Sequence, residues 1–169
     1  MNITINFVSK EKFISSISES KEDRFAKTFA AKCNMMDIWE DCVGIFEDNN
    51  LACAMVLTIS KRQPKVANIQ LIHTFANFRF KGYAKKLTLT IIDSYLSEIK
   101  YLRVSSEKSA VGFYKKLGFK FLGVQKSGTL LSMCKVVGNN IGEFEFDKND
   151  PIISRELNKK GKGGCIEIF

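Results

Sequence analysis

Apolar positions change period several times along the chain, and each change marks an element. "ITINFVS" alternates up to Ser9 and predicts a first strand. From residue 10 to 38 the spacing turns helical, with Phe13, Ile14 and Ile17 on one face and Phe25, Phe29 and Ala30 on the next. "DCVGIFEDNNLACAMVLTIS" carries two β-rich runs around the turn-forming Asp48-Asn49-Asn50, so a hairpin is expected. "KRQPK" reads as a second turn with Pro64 as its breaker. "VANIQLIHTF" follows as a long strand with apolar residues on both parities, which predicts burial on both faces.

The second half continues the alternation of strands and helices. "YAKKLTLTIIDSYLSEI" repeats apolar residues at Ala84, Leu87, Ile91, Ile92, Tyr95 and Ile99, one face of an amphipathic helix. "YLRVSS" is a short strand, and "SAVGFYKKLGF" a short helix stopped by Gly118. "KFLGVQ" and "LLSMCKVV" form a last antiparallel pair around Lys126-Ser127-Gly128. From Gly138 the pattern is lost: Pro151 and a basic "KKGK" mark residues 138–169 as an extension to a domain spanning 1–137.

Composition narrows the class. The 169 residues suit one ordinary domain, with 45% apolar and 26% charged residues, as in water-soluble globular chains. No apolar run nears the ~18 residues of a membrane span, and "MNITINFVSKEKF" has no secretory pattern, so a cytoplasmic protein without membrane contact is expected. The five cysteines are scattered without CxxC spacing, which suggests reduced thiols, and a single histidine argues against a metal site. The formal net charge of +8 favours phosphate-bearing ligands, from a nucleotide cofactor to nucleic acid.

One segment gives that charge a chemical purpose. In "NFRFKGYAKKL", Arg79, Gly82 and Ala84 sit where a strand hands over to a helix. The first turn of a helix holds backbone N–H groups without intrahelical acceptors, and the helix dipole concentrates positive potential there. Gly82 tolerates unusual φ and keeps a Cβ away from an approaching anion, while Arg79, Lys81 and Lys85 add charge and Ala84 keeps the turn slim. A pyrophosphate suits such a turn. Neither the P-loop nor the dinucleotide fingerprint is present.

"RFKGYAKKL" is similar to the pyrophosphate motif Q/R-x-x-G-x-G/A of the GNAT superfamily of N-acetyltransferases. "SAVGFYKKLGF" resembles that family's later A-x-x-F-Y-x-K-x-G-F motif, with Ala110, Phe113, Tyr114, Lys116, Gly118 and Phe119 in register. The order of elements also resembles the family, over roughly residues 40 to 137. The resemblance implies an α+β fold of three layers: a mixed, mostly antiparallel, splayed sheet flanked by helices.

It further implies an acetyl-CoA-dependent N-acetyltransferase, in which an acceptor amine attacks the thioester directly. The backbone of Phe80, Lys81, Gly82, Tyr83, Ala84 and Lys85, beside Arg79, would hold the pyrophosphate, and Ile72, His73 and Thr74 the pantetheine. Tyr114 matches the position whose phenol protonates the departing thiolate. Two departures stand out. Asn68 occupies the place where many relatives carry a carboxylate base, and Glu107 the place of a common asparagine. His73 has a suitable intrinsic pKa for the base role, against the more ordinary role of a packed strand histidine. Glu47 and Asp48 are further candidates, against a simple role in an exposed turn.

The alternatives are an acyltransferase acting on DNA or tRNA, and a non-catalytic binding module. Lys61, Arg62, Lys65 and "NKKGKGG" favour the former, and the missing carboxylate at Asn68 the latter. Ile141, Phe144, Phe146, Ile152 and Ile153 of the extension would pack on the domain or on a second subunit, and a homodimer is expected.

Overall fold

Alternation in the first residues is realised as β1 (Ile3–Phe7), and Ser9 then starts the first helix. Its Oγ accepts the Lys12 N–H at 3.1 Å and its carbonyl accepts the Phe13 N–H at 3.0 Å, the contacts of an N-cap. The structure, a computed structural model, describes residues 2–19, 24–36, 41–94, 98–124 and 131–137. Helices α1 (Lys10–Glu19) and α2 (Arg24–Met36) are followed by β2 (Asp41–Glu47), β3 (Asn50–Ser60), β4 (Gln63–Thr74), α3 (Tyr83–Ser94), β5 (Tyr101–Ser106), α4 (Val111–Lys116), β6 (Lys120–Val124) and β7 (Leu131–Val136). The strands make a seven-stranded mixed sheet in the order β1-β2-β3-β4-β5-β7-β6. The pairs β1–β2, β2–β3, β5–β7 and β6–β7 are antiparallel. The turn expected at Lys126-Ser127-Gly128 and the extension from Gly138 lie outside the described residues.

The described chain forms two compact units, and β4 contributes to both. The first takes the residues up to Thr58 together with the chain from Ile69 through α3. The second takes Ile59–Asn68 together with the described residues from Glu98 onward.

In the first unit, the β2–β3 hairpin turns on Asp48 and Asn49, with φ of 48° and 66°. Two consecutive left-handed residues make the tight turn that matches strand twist, and Asn and Asp are the side chains that tolerate it best. Ile45 pairs with Cys53 but Phe46 with Leu51, so Ala52 is an extra residue in β3, a bulge. That bulge resets the parity: Leu51 joins Ala54 and Val56 in one core with Phe13, Ile17, Ala26, Phe29, Cys42, Leu71 and Phe75. The face covered by α1 and α2 is built this way. Gly44 is required for close packing: a Cβ there would come within 2.6 Å of both Val8 Cγ2 and Leu51 Cδ1, and within 3.0 Å of the Cys53 carbonyl. On β2 the alternate residues Val43, Ile45 and Glu47 point to the opposite face, against which α3 packs with Tyr83, Leu87 and Ile91 buried.

In the second unit, Val66, Tyr101, Leu122 and Cys134 form the core. The Lys100 N–H bonds the Lys65 carbonyl at 2.9 Å, and the Val137 N–H bonds the Lys100 carbonyl at 3.0 Å.

Three expectations of detail change. Pro64 lies inside β4, whose start at Gln63 leaves only Lys61 and Arg62 to turn the chain. The long strand is not buried on both faces from Ile69 onward: Ile69, Leu71 and His73 are buried, whereas Gln70 is exposed and Ile72 and Thr74 are half-buried. The described part of α3 ends at Ser94, and Ile99 lies beyond the helix.

Candidate active site

The turn between β4 and α3 starts opposite the bulge of β3. The Phe75 N–H bonds the carbonyl of the bulged Ala52 at 3.0 Å. A 3-10 turn over Ala76–Phe78 follows, closed by the Arg79 N–H on the Ala76 carbonyl at 3.2 Å. Phe80 then takes φ of 63° and Gly82 φ of 76°, on either side of Lys81. Gly82 caps α3, its carbonyl accepting the Lys86 N–H at 3.0 Å. A Cβ on Gly82 would meet nothing within 4 Å, so glycine is demanded here by the positive φ rather than by crowding. The Tyr83, Ala84 and Lys85 N–H groups belong to the first turn of a 12-residue helix, where no intrahelical acceptor reaches them. Arg79 is exposed and its Nε donates to the Thr74 carbonyl at 3.3 Å; Lys85 is exposed, and so is Phe80, completely.

Lys81 does not simply add charge to this turn. Its Nζ donates to both oxygens of Glu47, at 2.7 and 3.0 Å, and lies 5.4 Å above the Phe78 ring. The Tyr83 hydroxyl donates to Oε2 of the same carboxylate. Glu47 is therefore not an exposed turn residue but a buried one, 8% exposed, on the apolar face of β2. The hydrogen bonds from Lys81 and Tyr83 hold its carboxyl below the ordinary value, and the carboxylate in turn pushes the Tyr83 phenol up to about 12. Asp48, next to it, stays exposed, and its Oδ1 accepts the Asn2 N–H at 2.8 Å.

At the end of β4, His73 is buried with its ring edge-on to Phe75, centroids 4.8 Å apart, and shares the parity of the core residues Leu71 and Phe75. These surroundings match the packed role. Ile72 and Thr74 point the other way, and the Thr74 hydroxyl donates to Cys53 Sγ at 3.4 Å. Burial pushes the Cys53 thiol up to about 11.

In the second unit, Tyr114 lies on α4, behind a 3-10 turn at Lys108–Ala110. The helix ends as its sequence predicts. Gly118 takes φ of 83°, its N–H bonds the Lys115 carbonyl, and the Phe119 N–H bonds the Tyr114 carbonyl, both at 3.0 Å. This pair of bonds is the Schellman motif, and the apolar contact that accompanies it is Tyr114 against Phe119, ring centroids 5.2 Å apart. Tyr114 is buried, which pushes its phenol up to about 12.

Asn68, where a carboxylate was the alternative, accepts the Arg103 Nε at 2.8 Å through its Oδ1. Glu107 is exposed and precedes the 3-10 turn without a side-chain cap. Among the described residues there is no cluster of metal-ligating side chains, and no helix is long and apolar enough to cross a membrane. The groupings that sequence reasoning missed are Glu47 with Lys81 and Tyr83, and Asn68 with Arg103. The available signal was the parity of Glu47 with Val43 and Ile45, which places an acid on an apolar strand face.

A strand-to-helix turn of backbone donors follows β4 in a seven-stranded mixed sheet, the setting in which comparison with known proteins places an acetyltransferase domain. The profile of the acetyltransferase (GNAT) domain matches residues 13–135, and the chain belongs to that family. Among solved structures, it is similar to the PaiA N-acetyltransferase of Thermoplasma acidophilum in complex with coenzyme A, at 17% identity and a TM-score of 0.63, covering 80% of this chain and 99% of that one. It is also similar to the ribosomal-protein-S18-alanine N-acetyltransferase of Escherichia coli, at 14% identity and a TM-score of 0.60, covering 86% of this chain and 100% of that one. The IAA acetyltransferase of Bacillus cereus ATCC 14579 is 16% identical with a TM-score of 0.57, covering 80% and 99%. No curated protein sequence matches significantly.

Proposed function

We propose that this protein is an acetyl-CoA-dependent N-acetyltransferase that transfers the acetyl group to an acceptor amine by direct attack. The observation that carries the reading is the turn at Phe80–Gly82, two positive-φ residues leading into the exposed first turn of α3. Backbone amides of residues 80–85 would bind the diphosphate, with Arg79 and Lys85 adding charge, and Ile72, His73 and Thr74 would flank the pantetheine through the strand backbone. The family membership and the coenzyme A held by the Thermoplasma enzyme support the cosubstrate.

In the reaction the amine nitrogen attacks the thioester carbonyl, the C–S bond breaks, and the sulfur takes a proton from Tyr114. The phenol, pushed up to about 12, keeps that proton throughout the neutral range. The same desolvation would raise a thiolate expelled against it, so burial does not widen the gap between donor and acceptor. Asn68 cannot take the amine's proton, His73 is packed on the helix-covered face, and Glu47 is engaged by two donors. With none of these three acting as base, the acceptor would enter as the neutral amine and lose its proton to solvent after attack, and Tyr114 would regain its own from solvent. The rate rises with pH toward the amine's own pKa and shows no inflection near ~6.5, the ordinary histidine value.

The acceptor is an amine of a protein or small molecule; the Escherichia coli relative, whose name specifies an alanine of a ribosomal protein, supports the former. A second reading, a nucleic-acid acceptor, is supported by the exposed Lys61, Arg62 and Lys65 around the β3–β4 turn. The scattered thiols and absent membrane-span pattern are compatible with a cytoplasmic setting, and the extension 138–169 would serve packing or pairing of subunits. The deciding experiment is native mass spectrometry for co-purified coenzyme A, followed by acetyl-CoA turnover on amine, peptide and tRNA pools. Coenzyme-dependent stabilisation without turnover on any pool would favour a binding module. Tight binding to tRNA or duplex DNA that weakens steeply with salt would favour the nucleic-acid reading.

A further inference from the structure

Glu47 has a position that stability alone does not explain. It follows Val43 and Ile45, 2% and 0% exposed, on the face of β2 that α3 covers, where an apolar side chain would pack at no electrostatic cost. The pair is enclosed on the side of Glu47 and open on that of Lys81, with side chains 10% against 38% exposed; enclosed charges are frequently replaceable, together with their partners, by apolar residues without loss of stability, and the better-attested reason to keep one is to select a single conformation. Here the conformation in question is unusual. Phe80 is a bulky residue at positive φ, a sparsely populated state for such a side chain, and Gly82 repeats the positive φ two residues later.

The contacts of the carboxylate bracket that stretch. Lys81 stands between the two positive-φ residues, and Tyr83 immediately follows them as the first residue of α3. Both donate to Glu47. Lys81 is further confined by the Phe78 ring on the preceding 3-10 turn. A carboxylate on one strand thus ties the middle of the irregular segment and its junction with α3 to the sheet, on the two sides of Gly82.

We propose that Glu47 is the positioning residue of the coenzyme turn: it grips Lys81 and Tyr83 and fixes the backbone on both sides of Gly82 in the shape that presents its amides to a diphosphate. The inference rests on the reading of this turn as the diphosphate cradle. It also changes the role of Lys81. With its charge matched by Glu47, Lys81 acts as a strut, and the attraction to the diphosphate falls on the amides, Arg79 and Lys85.

The test uses the full chain, with coenzyme A as the titrant in calorimetry. Glu47→Gln and Glu47→Leu each weaken coenzyme A by about tenfold or more, and Tyr83→Phe by a smaller factor in the same direction. The double variant Glu47→Gln/Tyr83→Phe is weakened by less than the product of the singles, because both remove one shared contact. Affinities are compared only among variants with a cooperative urea transition, and Glu47→Leu/Tyr83→Phe, which leaves no buried phenol unpaired, provides a folded variant should the single changes at Glu47 not fold. Amide hydrogen exchange over residues 79–86 accelerates in all three single variants, while exchange in α4 is unchanged. Equal or tighter binding of coenzyme A by the folded Glu47 variants, as a released Lys81 would give, overturns the proposal. If the wild type binds no coenzyme A, the acetyltransferase reading falls. The exchange measurement then still decides the tether: acceleration over 79–86 upholds it and unchanged exchange refutes it.

Discussion

At the head of α3 a carboxylate, an ammonium and a phenol hold the backbone, whereas at the tail of α4 the same task falls to a glycine and two rings meeting edge to face. Both segments carry a family motif, and both contain a glycine near φ of 80°, Gly82 at 76° and Gly118 at 83°. Gly118 is held by what lies next to it: the Schellman bonds from Gly118 and Phe119, and the Tyr114–Phe119 contact, all fall within five residues. Gly82 is held by a residue 36 positions from Tyr83 in sequence. The first arrangement is local and apolar, so it forms whenever the helix forms. The second depends on a tertiary contact and on protonation, so it is the one that chemistry can loosen.

Substitutions at the functional groups should separate the two regions most widely. Tyr114→Phe lowers turnover by about 10²-fold or more while coenzyme A affinity stays at the wild-type value, read by steady-state kinetics beside calorimetry. Equal loss in binding and turnover would mean that the ring, not the hydroxyl, is what matters. Next come the two glycines. Alanine at either position meets a left-handed penalty of roughly 1–2 kcal/mol, measurable by urea unfolding. Gly82→Ala also weakens coenzyme A, because the strain falls on the donor turn, whereas Gly118→Ala leaves coenzyme affinity alone. If both variants lost affinity equally, the contrast between the regions would collapse.

The smallest effect is a titration. Tyr83 and Tyr114 both ionise near 12 rather than 10, the one through Glu47 and the other through burial. Between about 10 and 12 the unfolded chain has lost phenolic protons that the folded chain retains, so stability falls as pH climbs through that window. Glu47→Gln moves only the Tyr83 share: tyrosinate absorbance then starts to rise at lower pH for one phenol and not for the other. On the acid side Glu47, held below its ordinary 4.5, contributes in full above that value and loses its contribution progressively as pH falls from there through its lowered value.

The same contrast explains what could be foreseen from the chain. Gly118, Phe113 and Phe119 are legible because a helix end is written in adjacent residues, and the hairpin at Asp48-Asn49 for the same reason. The strand-to-helix turn around Gly82 is legible together with its positive φ, and no neighbouring protein atom adds a second demand for glycine there. Beside Asp48 in sequence, Glu47 reads as a candidate base or as a simple exposed-turn residue. Its burial follows from alternation with Val43 and Ile45, and its partners from a pairing of strand and helix that no local pattern contains. The bulge at Ala52, which brings Leu51 into the core and accepts the Phe75 N–H, was equally invisible, since an extra residue in one strand shows only against its partner. Pro64 misled in the opposite direction, as a breaker accommodated near the start of a strand.

The seclusion of the sulfhydryls has a practical side. Cys42, Cys53 and Cys134 are all enclosed, and Cys53, with Thr74 donating to it, holds its hydrogen until about pH 11. Electrophilic dyes that react with thiolates would find these three silent in the native enzyme. These three described thiols would then add nothing to the colour by which free coenzyme, released in a successful transfer, is followed in real time.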